Sequence, residues 1–359
     1  MMKKTASALA VAALMGTGAA SAATFQVNDD TTLSLYGNVQ IAYSDTNDAS
    51  GDSVSDLQDN GTTIGVAVEH RFDNGLTGFA RIEEDGYDAV EQAAETAATD
   101  QAYFGVRGDF GMVRLGNADS IYDGFVRDYW DYQEFLAPIN GRRGVDHKDR
   151  QLLYMSPNFG GFSFGLEAQI NGDADEATFE LTQGGVNNGD NETGDVNGDD
   201  AGISLAAAAM YETGGLTVSA AIDQRSNEFV SAADAGSEGG PNHFDDPVMG
   251  IVVSYDFGRF TVDGGYQLDA ADTDERAIGD VDVLSLGGRF NYGMGDLYGI
   301  VQEVGYDEEN AAGNDSFTEV ILGANYNIGS NFYVYAEYAT YDQEEDANDG
   351  FAIGGLYSF

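Results

Sequence analysis

The charged side chains with the most pointed spacing stand between Asn117 and Asp149. This segment carries Asp119, Asp123, Asp128, Asp131 and Glu134, then Arg142, Arg143 and Lys148, so it opens acidic and closes basic. Tyr122, Phe125, Tyr129, Trp130, Tyr132 and Phe135 are interleaved, a set able to pack the segment against a wall. At more than thirty residues it is too long for an idle connection in a compact domain. A second set, Arg71, Arg81, Arg107, Arg114 and Arg289, lies outside this segment, in candidate strands. Carboxylates facing guanidinium groups across water set up a transverse field, which orders the water and sorts solutes by size, charge and dipole. Each such arginine also reads as one half of an ordinary cross-strand pair, and each loop carboxylate as a solvated surface group.

Other chemistry is sparse. The three histidines, His70, His147 and His243, do not recur with a serine and an acid in a way that marks a nucleophilic site. No enzyme and no cofactor is read. His70 shares the parity of Phe72 near a turn, which suggests an interfacial or subunit-contact position. The run Asp190, Glu192, Asp195, Asp199 and Asp200 offers hard oxygen ligands for Ca²⁺. Its spacing is not that of an EF-hand, and such Asp/Asn/Gly runs are commonly solvated loop.

These residues need elements to hold them, and the elements are strands. Turn signals such as Asp73-Asn74-Gly75 and Thr213-Gly214-Gly215 join candidate strands in pairs. The strands are 33–43, 62–72, 76–84, 101–107, 112–116, 151–156, 161–169, 203–211, 216–225, 249–255, 260–269, 281–292, 297–306, 317–327, 332–341 and the last residues to 359. Short turns alternate with long acidic or polar connections: 44–61, 85–100, 117–149, 171–201, 226–248, 270–280, 307–316 and 342–350. Within strands, two-residue alternation separates an apolar face from a polar one, as with Phe162, Phe164 and Leu166 against Ser163, Gly165 and Glu167. About sixteen strands of about ten residues, with alternating short and long connections, give the rhythm of an all-β, antiparallel up-and-down barrel that crosses a bilayer. Alternation alone also fits a secreted β-sandwich whose polar face meets bulk water.

Composition agrees with the barrel. The chain has 48 Gly and 4 Pro, as long strands with tight turns require, and 20 Tyr and 20 Phe for interfacial girdles. It has 0 Cys, so disulfides do not hold it. Lys3, Lys4, a short apolar stretch and Ala20-Ser21-Ala22 form a secretory signal over 1–22, leaving one domain over 23–359. The formal charge is −47, or −49 without Lys3 and Lys4. Such a surface repels nucleic acid, attracts cations, and suits a saline habitat where screening weakens self-repulsion.

Leu35-Tyr36-Gly37-Asn38, Gly108-Asp109-Phe110-Gly111, Val113-Arg114-Leu115-Gly116, the run from Tyr154 to Phe162 and the terminal Phe359 together resemble the general porins of Gram-negative bacteria. The resemblance implies a sixteen-stranded homotrimeric barrel in the outer membrane, among lipid and lipopolysaccharide, passing ions and small hydrophilic solutes. It also implies that the third long loop folds into the lumen as a constriction, with carboxylates facing wall arginines. In that family an arginine often follows the Leu-Gly pair; here the position is Asn117, so the constriction should be less basic. The resemblance makes Phe359 the address read by the outer-membrane assembly machinery, and an even strand count pairs the last strand with 33–43. Two channel types stay open: a general cation-preferring one, and a substrate-specific one with an aromatic track or basic pocket along the lumen.

Overall fold

The computed structural model describes residues 22–90, 98–138, 143–144, 147–170, 203–224, 247–270, 279–307 and 316–359. Arg142, His243 and the acidic run from Asp190 to Asp200 lie outside them, as do residues 1–21. Within the described residues the strands are β1 (Ala23–Asn28), β2 (Thr31–Asn47), β3 (Ser53–Asp59), β4 (Thr62–Arg71), β5 (Thr77–Tyr87), β6 (Ala98–Gly108), β7 (Gly111–Asp119), β8 (His147–Met155), β9 (Phe162–Ile170), β10 (Ile203–Thr213), β11 (Leu216–Asp223), β12 (Val248–Asp256), β13 (Phe260–Asp269), β14 (Val281–Asn291), β15 (Asp296–Tyr306), β16 (Ser316–Asn327), β17 (Phe332–Thr340) and β18 (Gly350–Ser358).

Strands β2 and β4 to β18 form a closed antiparallel barrel of sixteen. The seam is where parity places it: β18 pairs with β2, Ser358 opposite Asn38 and Gly350 opposite Thr46. Phe359 continues this ladder, its N–H donating to Gly37 O at 2.9 Å and its C=O accepting from Gly37 N at 3.1 Å. β1 takes the rest of that edge of β2, Ala23 opposite Leu35. β3 and β4 share the other edge, β3 along Ile41–Asn47 and β4 along Thr31–Asn38. All the strands belong to this one sheet, which excludes the two-sheet sandwich.

Two expectations about segments are corrected. Residues 44–61 are not a loop: β2 runs to Asn47 and β3 returns from Ser53, with Gly51 at φ 77° in the turn. β3 is exposed on both faces over Ser53–Leu57, so no apolar alternation marks it as a strand. The connection 117–149 is shorter than expected, because β7 reaches Asp119 and β8 starts at His147, with a register shift between Gly116 and Ala118.

The faces are inverted relative to a water-soluble protein. Leu284 and Leu286 are 61% and 60% exposed on the outside of β14, while Val283 and Ser285 are buried inside. Across the barrel the inward set includes buried Asp263, Gln267, Gln302, Glu319 and Glu337. A large continuous apolar exterior around a polar interior is stable only where the exterior meets hydrocarbon, and closure satisfies every backbone ladder there.

Candidate functional site

The chain turns off the barrel wall after β7. Ser120 caps the turn, its Oγ accepting from Asp123 N at 3.0 Å, and starts the short helix α1 (Ile121–Phe125). A 3₁₀ turn follows at Arg127–Trp130. A side-chain oxygen at the N-cap and an acid in the first turn suit a helix start. Ile121, Tyr122, Phe125, Val126 and Trp130 are all buried. They lie on inward-facing glycines of successive strands. A side-chain carbon at Gly250 of β12 would come 2.5 Å from Val126, at Gly265 of β13 2.5 Å from Trp130, and at Gly287 of β14 2.8 Å from Tyr132. On β9, Gly165 leaves the same kind of space for Ile121. The segment therefore runs inside the barrel, along the wall from β9 to β14.

Polar groups on the wall pin it at its root, tip and return. At the root, Glu167 accepts from Ile121 N at 2.7 Å and from Gln151 Nε2 at 2.9 Å. Arg114 donates to Gln151 Oε1 at 2.6 Å and to Asp119 O at 2.8 Å. At the tip, the Glu337 carboxylate of β17 accepts from the backbone N–H groups of Glu134, Phe135 and Leu136 at 2.6, 3.0 and 2.8 Å, and from Tyr298 OH at 2.6 Å. On the return, Arg143 forms a buried ion pair with Asp269 at 2.5 Å. Charge-assisted bonds of this kind are about twice as strong as neutral ones.

The loop acids have separate surroundings. Asp119 ends β7 and accepts from Gln101 Nε2 at 2.9 Å. Asp123 pairs with Arg127 at 3.4 Å. Asp128 and Asp131 are exposed. Glu134 is half-buried and accepts from Tyr333 OH at 2.8 Å. Burial pushes its carboxyl from the ordinary 4.5 up to about 6, and Glu337 and Asp131 add to the rise against the opposing Tyr333 bond and Arg289 charge.

The wall arginines fall into three places. Arg81 and Arg114 are buried in the wall, Arg81 paired with Glu83 at 2.5 Å; their guanidinium carbons lie 5.1 Å from the ring centres of Tyr36 and Tyr103. Arg71 and Arg107 flank Thr77 at the short-turn end; Arg71 is exposed, and Arg107 pairs with Glu69 at 2.8 Å. Arg289 on β14 pairs with Asp296 at 3.0 Å. His70 faces outward beside Phe72, its Nδ1 2.8 Å from Thr31 Oγ1. His147 opens β8 opposite Asp119. The residues sequence reasoning missed are the anchors Glu167, Asp269 and Glu337. Their only signal was a carboxylate on the polar parity of a strand, which every water-facing carboxylate shares.

Residues 6–346 match the family model described as Gram-negative porin. The chain is 32% identical, over 394 residues and the full length of both chains, to a "Monosaccharide porin" of a Halomonas species and to a "Major outer membrane protein" of Halomonas elongata. In fold it is similar to the anion-selective porin of Comamonas acidovorans, with TM-score 0.68, 18% identity, and coverage of 92% of this chain and 100% of that one. It is likewise similar to the trimer form of OmpT of Vibrio cholerae, with TM-score 0.65, 17% identity and the same coverage. An exterior made for lipid, a polar interior and a match over nearly the whole length lead to one conclusion: the chain belongs to the Gram-negative porin family, channels of the outer membrane.

Proposed function

We propose that the channel is a water-filled, passive one for ions and small hydrophilic solutes, that it prefers cations, and that the segment from Ile121 to Leu136 is its constriction. The observation that carries the sign is an imbalance of charge. Asp128 and Asp131 are exposed on the loop, whereas Arg81, Arg114, Arg127 and Arg143 are buried. In a narrow aqueous path with low-dielectric walls, exposed carboxylates raise the local cation concentration. Fold alone does not set this sign, since the porin of similar fold from Comamonas acidovorans is anion-selective. The double variant Asp128→Asn, Asp131→Asn tests the assignment. It should conduct with a lower cation-to-anion permeability ratio; an unchanged ratio counts against these residues.

Homotrimeric assembly is part of the proposal, supported by the trimer form of OmpT of similar fold. So is removal of residues 1–22 on export, which N-terminal sequencing of the mature protein at Ala23 would check. A second reading is a solute-selective channel. The full-length similarity to a protein named "Monosaccharide porin" favours it.

A further inference from the structure

The loop tip meets the wall in a patch with hydrogen-bonding capacity to spare. Tyr335 of β17 lies across Gly354 of β18, where a side-chain carbon would collide with its ring. This lets its hydroxyl reach Asn60, between β3 and β4, at 3.1 Å. Asn60 Nδ2 also donates to Gln40 Oε1 at 3.0 Å and to Glu134 O at 2.8 Å. Gln40, on the inward parity of β2, and Glu134 are therefore brought to the same place from opposite sides of the barrel seam. Tyr333 completes the patch through its bond to Glu134 Oε2.

The unused valences matter most. Among the described residues, Glu134 Oε1 has no hydrogen-bond partner, nor do the Gln40 amide N–H groups or Asn60 Oδ1. None of these three atoms is a fully enclosed polar atom without a partner. Gln40, Asn60, Glu134 and Tyr333 are all half-buried. Two acceptors and a pair of donors thus lie at the loop tip, with half-buried Tyr333 two strands from Gln40 across Leu356. A group that donates and accepts at once satisfies both kinds of valence, and a compact ring carrying several such groups satisfies them together. That is the chemistry of a neutral polyhydroxylated solute, with C–H faces for the tyrosine ring and hydroxyls for the amides and carboxylate.

We infer that Gln40, Asn60, Glu134 and Tyr333 form a weak binding site for a monosaccharide-sized polyol at the loop tip. The inference deepens the channel reading and rests on it. The solute pauses at the constriction with its hydroxyls exchanging water for the side chains, and no covalent step is involved. One wall of the site is fixed, because the Glu337 anchor holds the loop backbone through Glu134, Phe135 and Leu136.

Glucose is the probe. In planar bilayers, glucose added to the purified protein should reduce the ion current along a saturating curve. An ethylene-glycol oligomer of similar size should reduce it only linearly. Gln40→Met removes the donors at nearly equal volume, and Tyr333→Phe frees the second oxygen of Glu134. Gln40→Met should raise the half-blocking glucose concentration and Tyr333→Phe lower it, each by about three- to tenfold and each read against the variant's own glucose-free current, as loss or gain of one hydrogen bond does. Linear, non-saturating loss of current with glucose, or block unaltered in both variants, overturns the site and leaves the channel standing. Absence of any conductance steps overturns both.

Discussion

Two glutamates at the loop tip have different roles. Glu134 titrates in a usable range: its pKa is raised to about 6, so its charge is present above that pH and lost as pH falls through it. The neutral form is favoured in the folded channel, so seating of the loop tip is best at low pH and weakens as pH rises through 6. Lowering the pH from 7.5 to 5 should therefore reduce cation preference, and Glu134→Gln should remove most of the step centred near 6. A step of equal size in the variant would assign it to other carboxyls. Glu337 acts through the backbone. Glu337→Ala leaves three loop N–H groups without their acceptor and should cost the seated loop on the order of 3 kcal/mol. The expected readout is a noisy open-channel current that closes at lower voltage, with trimer yield unchanged.

At the scale of elements, the strands were legible because two solvents sort their faces. Phe162, Phe164 and Leu166 face outward and Ser163, Gly165 and Glu167 inward, as alternation requires. Where both faces meet water, as in β3, the pattern vanishes and the hairpin reads as a loop. The loop's inward course was implied by family resemblance and not by its residues. Its aromatics name a surface to bury but not the glycines that receive them. That fit is testable at one position. Gly265→Val would press on Trp130, 2.5 Å from the added carbon, and less closely on the Ile251 carbonyl of β12, 2.8 Å from it, and should cost about 1–3 kcal/mol by overpacking, displacing the loop most. A variant with raised conductance fluctuation and unaltered heat-modifiable gel mobility is the expected result. Unaltered conductance would mean that Trp130 does not seat the loop. The site was the least legible part: Arg81 and Arg114 were placed on polar faces by parity, but their burial against Tyr36 and Tyr103 depends on partners from other strands.

For the whole molecule, closure and charge are the governing facts. The barrel closes through the pairing of β18 with β2, which Phe359 and Gly37 continue; a side-chain carbon at Gly37 would come 2.6 Å from Thr63 O of β4 and 2.8 Å from the Phe359 ring. Gly37→Val should therefore disturb the pairing of β2 with both neighbours, and, on the proposal that Phe359 is an assembly address, its deletion should lower the yield of assembled protein before it changes conductance. Normal trimer yield from the deletion would argue against Phe359 as an assembly address. The formal charge of −47 biases solution near the protein toward cations, and screening limits that reach to about 8 Å at physiological salt. The proposed cation preference therefore rests on the exposed carboxylates of the loop, within the pore itself. The reversal potential of the purified protein in a planar bilayer under a tenfold potassium chloride gradient tests this most directly. Stepwise conductance is expected, with a potential of cation-selective sign whose magnitude shrinks as salt is raised on both sides. An anion-selective potential, or a bilayer that shows no steps, would contradict it.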